Sequence, residues 1–342
     1  METTIKDIAR ICGVAVSTVS RAINNHPDIN EETKTLIIKA IKENNYIPNN
    51  SARNLKRSES NTIAVLIKGI SNPFFNNMLK VFEQDIQRKK FSFLLHRVEE
   101  HEDEVELALL LEKEKRLKGI VFLGGFFSHS EEKLKQIRVP FILSTGGVSE
   151  KIDKNSYSFV TVDDFQESYK IVDYLCKLGH KRIATISAPP EDESIGKLRL
   201  EGYMKALEDN NIVIDQELVR YINDDSMDIF SMKYGYEVTK ELLKAEVDVT
   251  AIFAMSDSMA VGTCKAIFEA GKKVPEDYSV AGFDGMDISF FYHPSITTIR
   301  QPVEAMAQET IRILFDIIEG RLDIEHKSFP AELVIGQSTR KI

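Results

Sequence analysis

Six short stretches of the chain combine aromatic rings, carboxylates and amide donors in a way that suits ligand chemistry. They are Lys68 to Phe75 (KGISNPFF), Gly124 to Phe127 (GGFF), Ser144 to Gly147 (STGG), Ala188 to Pro190 (APP), Met255 to Asp257 (MSD) and Gly282 to Gly285 (GFDG). A flat ring packs on the apolar face of a sugar, while charged acceptors and donors take its hydroxyls, so the mixture fits a polyhydroxylated small molecule. A second group of polar residues lies near the start of the chain. Val16, Val19 and Ile23 share one face of a helical pattern, and Ser17, Thr18, Ser20, Arg21 and Asn24 fall largely on the other.

The elements that must hold these residues are legible in outline. Thr4 and Asp7 have capping-box spacing, followed by Ile5, Ile8, Ala9 and Ile11 at helical intervals, and Gly13 breaks the pattern. A second helix runs from about Val16 to Asn24. After Pro27, Asn30 is a natural N-cap, and Thr33, Leu36, Ile37, Ala40 and Ile41 form the apolar stripe of a third. Two short helices split by a glycine turn make a helix-turn-helix pattern, and the third completes a small core. From Tyr46 to Ser60 the chain turns polar and basic with almost no core residues, as a linker does.

Beyond residue 60, apolar strand patterns at 62–67, 91–95, 119–123, 140–144, 159–162, 182–187, 251–255 and 279–283 alternate mostly with helical ones at 74–89, 102–115, 165–178, 197–210, 231–244 and 257–270. Strands spaced by helices predict parallel sheets with right-handed crossovers, and this many strands predict two lobes. Ligands of such sheets sit beyond the carboxyl ends of the strands, which is where the six loops fall.

Composition narrows the function. The 342 residues are 43% hydrophobic and 28% charged, an ordinary globular balance. The three cysteines, Cys12, Cys176 and Cys264, are too widely spaced for a zinc cluster or a disulfide framework, and a reducing, cytoplasmic setting is expected. No apolar run approaches the roughly 18 residues of a membrane span, and no leader pattern opens the chain, so no membrane role is expected. The net charge of −9 is unevenly spread: residues 1–60 carry nine Lys and Arg against seven Asp and Glu, a balance of +2 that leaves −11 for the rest. A basic head on an acidic body puts any DNA contact on the head. A soluble α/β enzyme with an accessory head finds no support: there is no Gly-x-Ser-x-Gly elbow, Walker loop, Gly-x-Gly-x-x-Gly after a strand or His/Cys metal spacing, and neither cofactor nor metal is expected.

Several motifs in order then resemble the LacI/GalR family of bacterial transcription regulators. They are Ile5 to Asn24 (IKDIARICGVAVSTVSRAIN), Asn45 to Asn49 (NYIPN), Ile70 to Phe75 (ISNPFF), Leu178 to Ile183 (LGHKRI), Arg199 to Tyr203 (RLEGY), Ser256 to Ala260 (SDSMA), Gly282 to Asp284 (GFD) and Thr297 to Pro302 (TTIRQP). The resemblance covers essentially the whole chain. It implies a small all-α helix-turn-helix head, residues 1–45, a hinge, 46–60, and an α/β periplasmic-binding-protein-like body of two parallel-sheet lobes, 61–340. The family's chain weave implies one lobe of about 61–160 plus 293–322 and another of about 161–292 plus 323–340.

By resemblance the protein is a cytoplasmic homodimer that binds a pseudo-palindromic double-stranded DNA operator, represses carbohydrate-utilisation genes, and is gated by a sugar or sugar derivative between the lobes. Control by a protein co-repressor is the alternative. Val16 and Ser17 would reach base edges in the major groove, with Thr18, Ser20, Arg21 and Asn24 as further contacts. In the hinge, Asn49, Ala52 and Leu55 would enter the minor groove, Leu55 as the wedge, while Arg53, Lys56 and Arg57 meet phosphates. Asn72, Phe74 and Phe75 would line one side of the effector cleft; Arg199 and Asp257 would face them, with Ser144, Ser256 and Asp284 as further candidates. Two departures stand out. Ala15 replaces the usual Ser or Thr at the second helix's N-cap, and Ser256 replaces the frequent Asn before Asp257. His180 and Cys12 read as structural, and the acidic run Glu99 to Glu104 as a solvated helix start.

Overall fold

The computed structural model describes residues 4–23, 26, 28–44, 61–69, 72–99, 102–190, 194–224 and 227–342. The chain forms two compact units, Met1–Ser60 and Asn61–Ile342.

The first unit holds α1 (Ile5–Cys12), α2 (Val16–Ile23) and α3 (Glu31–Glu43). Thr4 and Asp7 close a capping box on α1, with the Thr4 N–H donating to Asp7 Oδ2 at 3.0 Å and the Asp7 N–H to Thr4 Oγ1 at 3.4 Å. Gly13 ends the helix at φ +64°, a left-handed conformation that costs glycine little. Asn30 caps α3 through the Glu32 N–H at 2.8 Å. Ile8, Val19 and Ile37 are wholly buried, and Ala9, Ala22 and Ala40 pack around them. Leu36, expected in the apolar stripe, is 50% exposed instead, because the stripe facing the core is the narrower Ile37 and Ala40 line. Cys12 packs at the edge of this core, and burial raises its thiol pKa, in keeping with a structural role.

The second unit alternates strands and helices. In chain order these are β1 (Thr62–Ile67), α4 (Phe74–Arg88), β2 (Ser92–Arg97), α5 (Glu104–Lys115), β3 (Gly119–Leu123), β4 (Phe126–Phe127), α6 (Glu131–Leu134), β5 (Phe141–Ser144), β6 (Gly147–Val148), β7 (Ser158–Val162), α7 (Asp164–Lys177), β8 (Ile183–Ile186), α8 (Ile195–Asp209), β9 (Val219–Arg220), α9 (Met232–Lys244), β10 (Ala251–Ala254), α10 (Asp257–Glu269), β11 (Ser279–Asp284), α11 (Asp287–Phe291), β12 (Thr297–Arg300), α12 (Val303–Ile318), β13 (His326–Phe329) and β14 (Glu332–Val334).

Two six-stranded sheets result, ordered β13-β7-β5-β3-β1-β2 and β14-β12-β11-β10-β8-β9, with β4 and β6 as a small separate pair. All pairings are parallel except β14 against β12. The central strands of each sheet are buried on both faces, which is why β1, β3, β8, β10 and β11 read as nearly continuous apolar runs. In β1, Ile63, Val65 and Ile67 join a core with Met78, Phe82 and Ile86 of α4 and Leu314 of α12, while Ala64 and Leu66 face Val105, Ala108 and Leu111 of α5. Each such buried Ile, Val, Leu, Met or Phe contributes about 1.5–3 kcal/mol.

Sheet membership corrects the expected division of the lobes. β12 pairs with β11 in the second sheet, so residues 297–300 leave the first lobe, and β13 pairs with β7 in the first sheet, so 326–329 leave the second. The chain therefore crosses between lobes after β7, after β12 and after β13. Thr-Thr-Ile-Arg and His-Lys-Ser-Phe carry no apolar run by which to assign them from sequence, and partners far away in the chain decide where they pair.

Candidate ligand cleft and nucleic-acid interface

The carboxyl ends of the strands in the second unit converge on a narrow cleft lined by Asn72, Phe74, Phe75, Thr145, Thr161, Asp164, Ile195, Arg199, Asp284 and Gln301. Both lobes and two of the crossovers contribute. Asn72 folds its loop by accepting the Phe74 N–H at 3.0 Å, and this turn starts α4 with Phe74 and Phe75 edge to face, ring centres 5.4 Å apart. Both rings are largely buried yet reach the cleft wall.

Arg199 comes from α8, which lies close on α7 because Gly202 leaves no side chain between them; a Cβ there would sit 2.3 Å from the Phe165 carbonyl oxygen. That approach brings Arg199 Nε within 2.8 Å of Asp164 Oδ1 at the start of α7. One terminal nitrogen donates to the Met255 carbonyl, the other faces Asp284 Oδ1 at 3.5 Å, and the guanidinium lies 3.7 Å from the centre of the Phe283 ring.

Asp284 ends β11 at φ +117°, a backbone conformation that costs a non-glycine residue roughly 1–3 kcal/mol and marks sites where structure enforces geometry. Its Oδ1 accepts from Gln301 Nε2 at 3.0 Å, and its Oδ2 is buried without a partner. Burial pushes its carboxyl up to about 7, against the pull of Arg199 and Gln301. Thr145, at φ +50°, also has a buried hydroxyl with no partner. An orphaned acceptor and an orphaned hydroxyl in one small cleft are groups that a bound hydroxyl would satisfy.

Of the residues expected here, Asn72, Phe74, Phe75, Arg199 and Asp284 line the cleft. Asp257 does not. It is wholly buried behind the wall, where Oδ1 accepts from Thr298 Oγ1 at 2.6 Å and Oδ2 from the Met286 N–H at 2.7 Å. Burial, together with Asp284, pushes its carboxyl up to about 8. Ser256 is occupied as the N-cap of α10, accepting the Met259 N–H at 3.1 Å. Ser144 turns away toward α12, with Oγ 3.1 Å from Thr310 Oγ1. Their positions at strand ends are as expected; their side-chain bonds are spent on the scaffold. Thr145, Thr161, Asp164, Ile195 and Gln301 complete the lining; Thr145 and Gln301 lie within the loop and motif quoted from the sequence, and Asp164 comes two residues after the apolar strand β7.

His180 is buried between Thr250 Oγ1 at 2.9 Å and the Arg340 carbonyl at 3.1 Å, and burial lowers its pKa, so it is a structural residue. The acidic run is only partly a solvated helix start: Asp103 caps α5 through the Val105 and Glu106 N–H groups, but Glu104 is buried against Lys68 and His129, each at 3.0 Å.

In the first unit, α2 keeps Val19 and Ala22 in the core and leaves Val16, Ser17 and Arg21 exposed, with Thr18 and Ser20 half-buried. Exposed Val16 and Ser17 lie in the first turn of α2, the end that a helix-turn-helix inserts into the major groove, and Arg21 is exposed one turn on. Asn24 and the hinge residues Asn49, Ala52, Arg53, Leu55, Lys56 and Arg57 lie outside the described residues.

Residues 4–49 match the family model for bacterial regulatory proteins of the lacI family, and residues 172–339 match the periplasmic binding protein-like domain. The chain is 42% identical over 332 residues to the HTH-type transcriptional regulator MalR of Clostridium butyricum, covering 96% of this chain and 97% of that one. The chain belongs to the lacI family. Within the family it is also 30% identical over 344 residues to the transcriptional repressor CytR of Escherichia coli K12, covering 99% and 97% of the two chains. Among solved lacI-family structures it is similar to the lac repressor dimer bound to operator and the anti-inducer ONPF, with a TM-score of 0.75, 25% identity and coverage of 99% and 100%. It also resembles the regulator CelR in complex with cellobiose, with a TM-score of 0.70, 26% identity and coverage of 98% and 100%. As a lacI-family member the protein is a DNA-binding transcription regulator and not an enzyme.

Proposed function

We propose that this regulator is a dimeric repressor of carbohydrate-utilisation genes whose grip on a pseudo-palindromic operator is set by a sugar bound in the interlobe cleft. The observation that carries the reading is the pair of unsatisfied groups in that cleft, Asp284 Oδ2 and Thr145 Oγ1, beside the Phe74 and Phe75 rings. A sugar supplies what each of them lacks: hydroxyls for the polar pair and apolar ring faces for the aromatics. Sugars named with related structures, cellobiose for CelR and ribose for a lacI-family regulator of Enterococcus faecium, support the same class of ligand.

On the DNA side, α2 presents Val16, Ser17, Thr18, Ser20 and Arg21, with Arg21 suited to a guanine edge or a phosphate. Asn24 and the hinge residues from Asn49 to Lys56 extend the surface by analogy with the family. A DNA target puts the working compartment in the cytoplasm, and among the described residues no helix is long and apolar enough to cross a membrane. A ligand gates such a repressor by binding one lobe arrangement better than another.

The test is the affinity of the purified protein for a fluorescent DNA fragment from upstream of its own gene, measured with and without glucose, ribose, maltose and cellobiose. At least one sugar is expected to change the affinity by about tenfold or more, the usual scale of allosteric coupling. If DNA binds but no sugar moves its affinity, gating by sugar is wrong and a protein co-repressor takes its place.

A further inference from the structure

Arg199 is the one arginine or lysine among the described residues lining the cleft, and the protein itself occupies it. Its Nε is taken by Asp164 at 2.8 Å, one terminal nitrogen by the Met255 carbonyl, and the other faces Asp284 at 3.5 Å. All three charged side chains are deeply buried, at 2% exposure for Arg199, 5% for Asp164 and 2% for Asp284. The cleft wall thus carries two carboxylates against one guanidinium, and Asp257 adds a third carboxyl just behind it.

A buried arginine with a free fork is a strong receptor for phosphate or carboxylate. Here the fork is already filled. Asp164 takes its Nε edge and is, among the described residues, the one full charge within hydrogen-bond distance of it, and α7 can deliver Asp164 only because Gly202 lets α8 lie so close. An anion entering the cleft would meet two carboxylates and no available cation, whereas an uncharged hydroxyl finds Asp284 Oδ2 as an acceptor.

We propose that Asp164 is a specificity-determining residue: by holding Arg199 it closes the cleft to phosphorylated and acidic sugars and restricts the effector to an uncharged one. The inference rests on the cleft being the effector site. Asp164 acts through Arg199 and so serves as a positioning residue, and its removal should produce a gain of anion binding that a merely structural residue would not give.

The experiment compares full-length wild type with Asp164→Asn by calorimetry in phosphate-free buffer, using inorganic phosphate and glucose 6-phosphate as probes. Wild type should bind neither in the cleft. Asp164→Asn should bind both at least roughly tenfold more tightly, the scale of one charge-assisted arginine contact, and the double variant Asp164→Asn/Arg199→Gln should lose the gain. Binding that persists in the double variant lies outside the cleft and is subtracted. Equal affinity of wild type and Asp164→Asn for glucose 6-phosphate, with both proteins folded, overturns the proposal. If Asp164→Asn melts far below wild type, Asp164→Ser is put through the same comparison. A neutral-sugar panel that never alters operator affinity would sink the effector reading instead, while the phosphate comparison still decides the role of Asp164.

Discussion

Asp257 and Asp284 are buried carboxyls at neighbouring strand ends, yet only Asp284 lacks a partner for one oxygen. The consequences of removing them therefore differ. Asp284→Asn should weaken the sugar response of operator binding by about tenfold or more, since it replaces a charged acceptor. Asp257→Ala should leave the Thr298 hydroxyl and the Met286 N–H unsatisfied and cost about 1–3 kcal/mol of stability, read from denaturant unfolding. A pH dependence follows from the same chemistry. The Asp284 carboxyl is raised from 3.8 to about 7 in the fold, so the unfolded chain gives up its proton first as pH rises. The stability this group contributes is present below about pH 4 and is lost progressively up to about pH 7, and Asp284→Asn should erase that decline in melting temperature. Hydroxyl donation favours the ionised carboxylate, so sugar affinity should rise about tenfold between pH 6 and 8 in wild type and stay flat in Asp284→Asn.

At the scale of elements, α2 is the helix proposed to read the operator, and it has an alanine where a capping hydroxyl would be expected. The Thr18 and Val19 N–H groups bond the Ala15 carbonyl at 2.9 and 3.2 Å, so backbone turns close the helix start without a side-chain acceptor from Ala15. Ala15→Ser should stabilise the head by about 1 kcal/mol, seen as slower amide hydrogen exchange in α2 of the full-length protein. The pairing of α7 with α8 is the other sensitive element. A methyl group at Gly202 meets the Phe165 carbonyl at 2.3 Å, so Gly202→Ala must push α8 outward and pull Arg199 from Asp164. Loss of sugar response with retained DNA binding is the expected outcome, and an unchanged sugar titration would show that α8 need not lie so close.

For the whole molecule, the division into Met1–Ser60 and Asn61–Ile342 separates two tasks with opposite electrostatics. Net charge is +2 in the first and −11 in the second, so the acidic body repels DNA and the head must supply the phosphate contacts. Residues 61–342 alone should keep the sugar-dependent rise in melting temperature and lose operator binding; a truncated protein that still holds operator would overturn the assignment of DNA contact to the head. For the proposed dimer with about 8 phosphate contacts, the log–log slope of operator affinity against salt should be near −7. A slope near zero would mean that phosphate contacts are not what holds the complex.

Periodicity and local chemistry are properties of neighbouring residues, and they were readable. The capping box at Thr4, the left-handed turn at Gly13, the Asn30 cap and the apolar strands such as Thr62–Ile67 all stand where the spacing puts them. So do the strand-end loops that carry Phe74 and Asp284. What depends on distant partners was not readable. β12 and β13 have no apolar pattern of their own, α12 was absent from the predicted helices, and pairing across more than a hundred residues sets the sheet that β13 joins. The same limit governs the site. Whether a buried carboxyl is free to take a ligand depends on which hydroxyls and amides the fold brings beside it: Asp257 meets Thr298 and Met286, whereas Asp284 keeps one oxygen unpaired, and Asp164 reaches Arg199 only because two helices approach at a glycine. Residue types and spacing fixed the chemistry available at each strand end, and only the tertiary contacts, through the bonds they satisfy or leave open, decided which of those groups face the cleft.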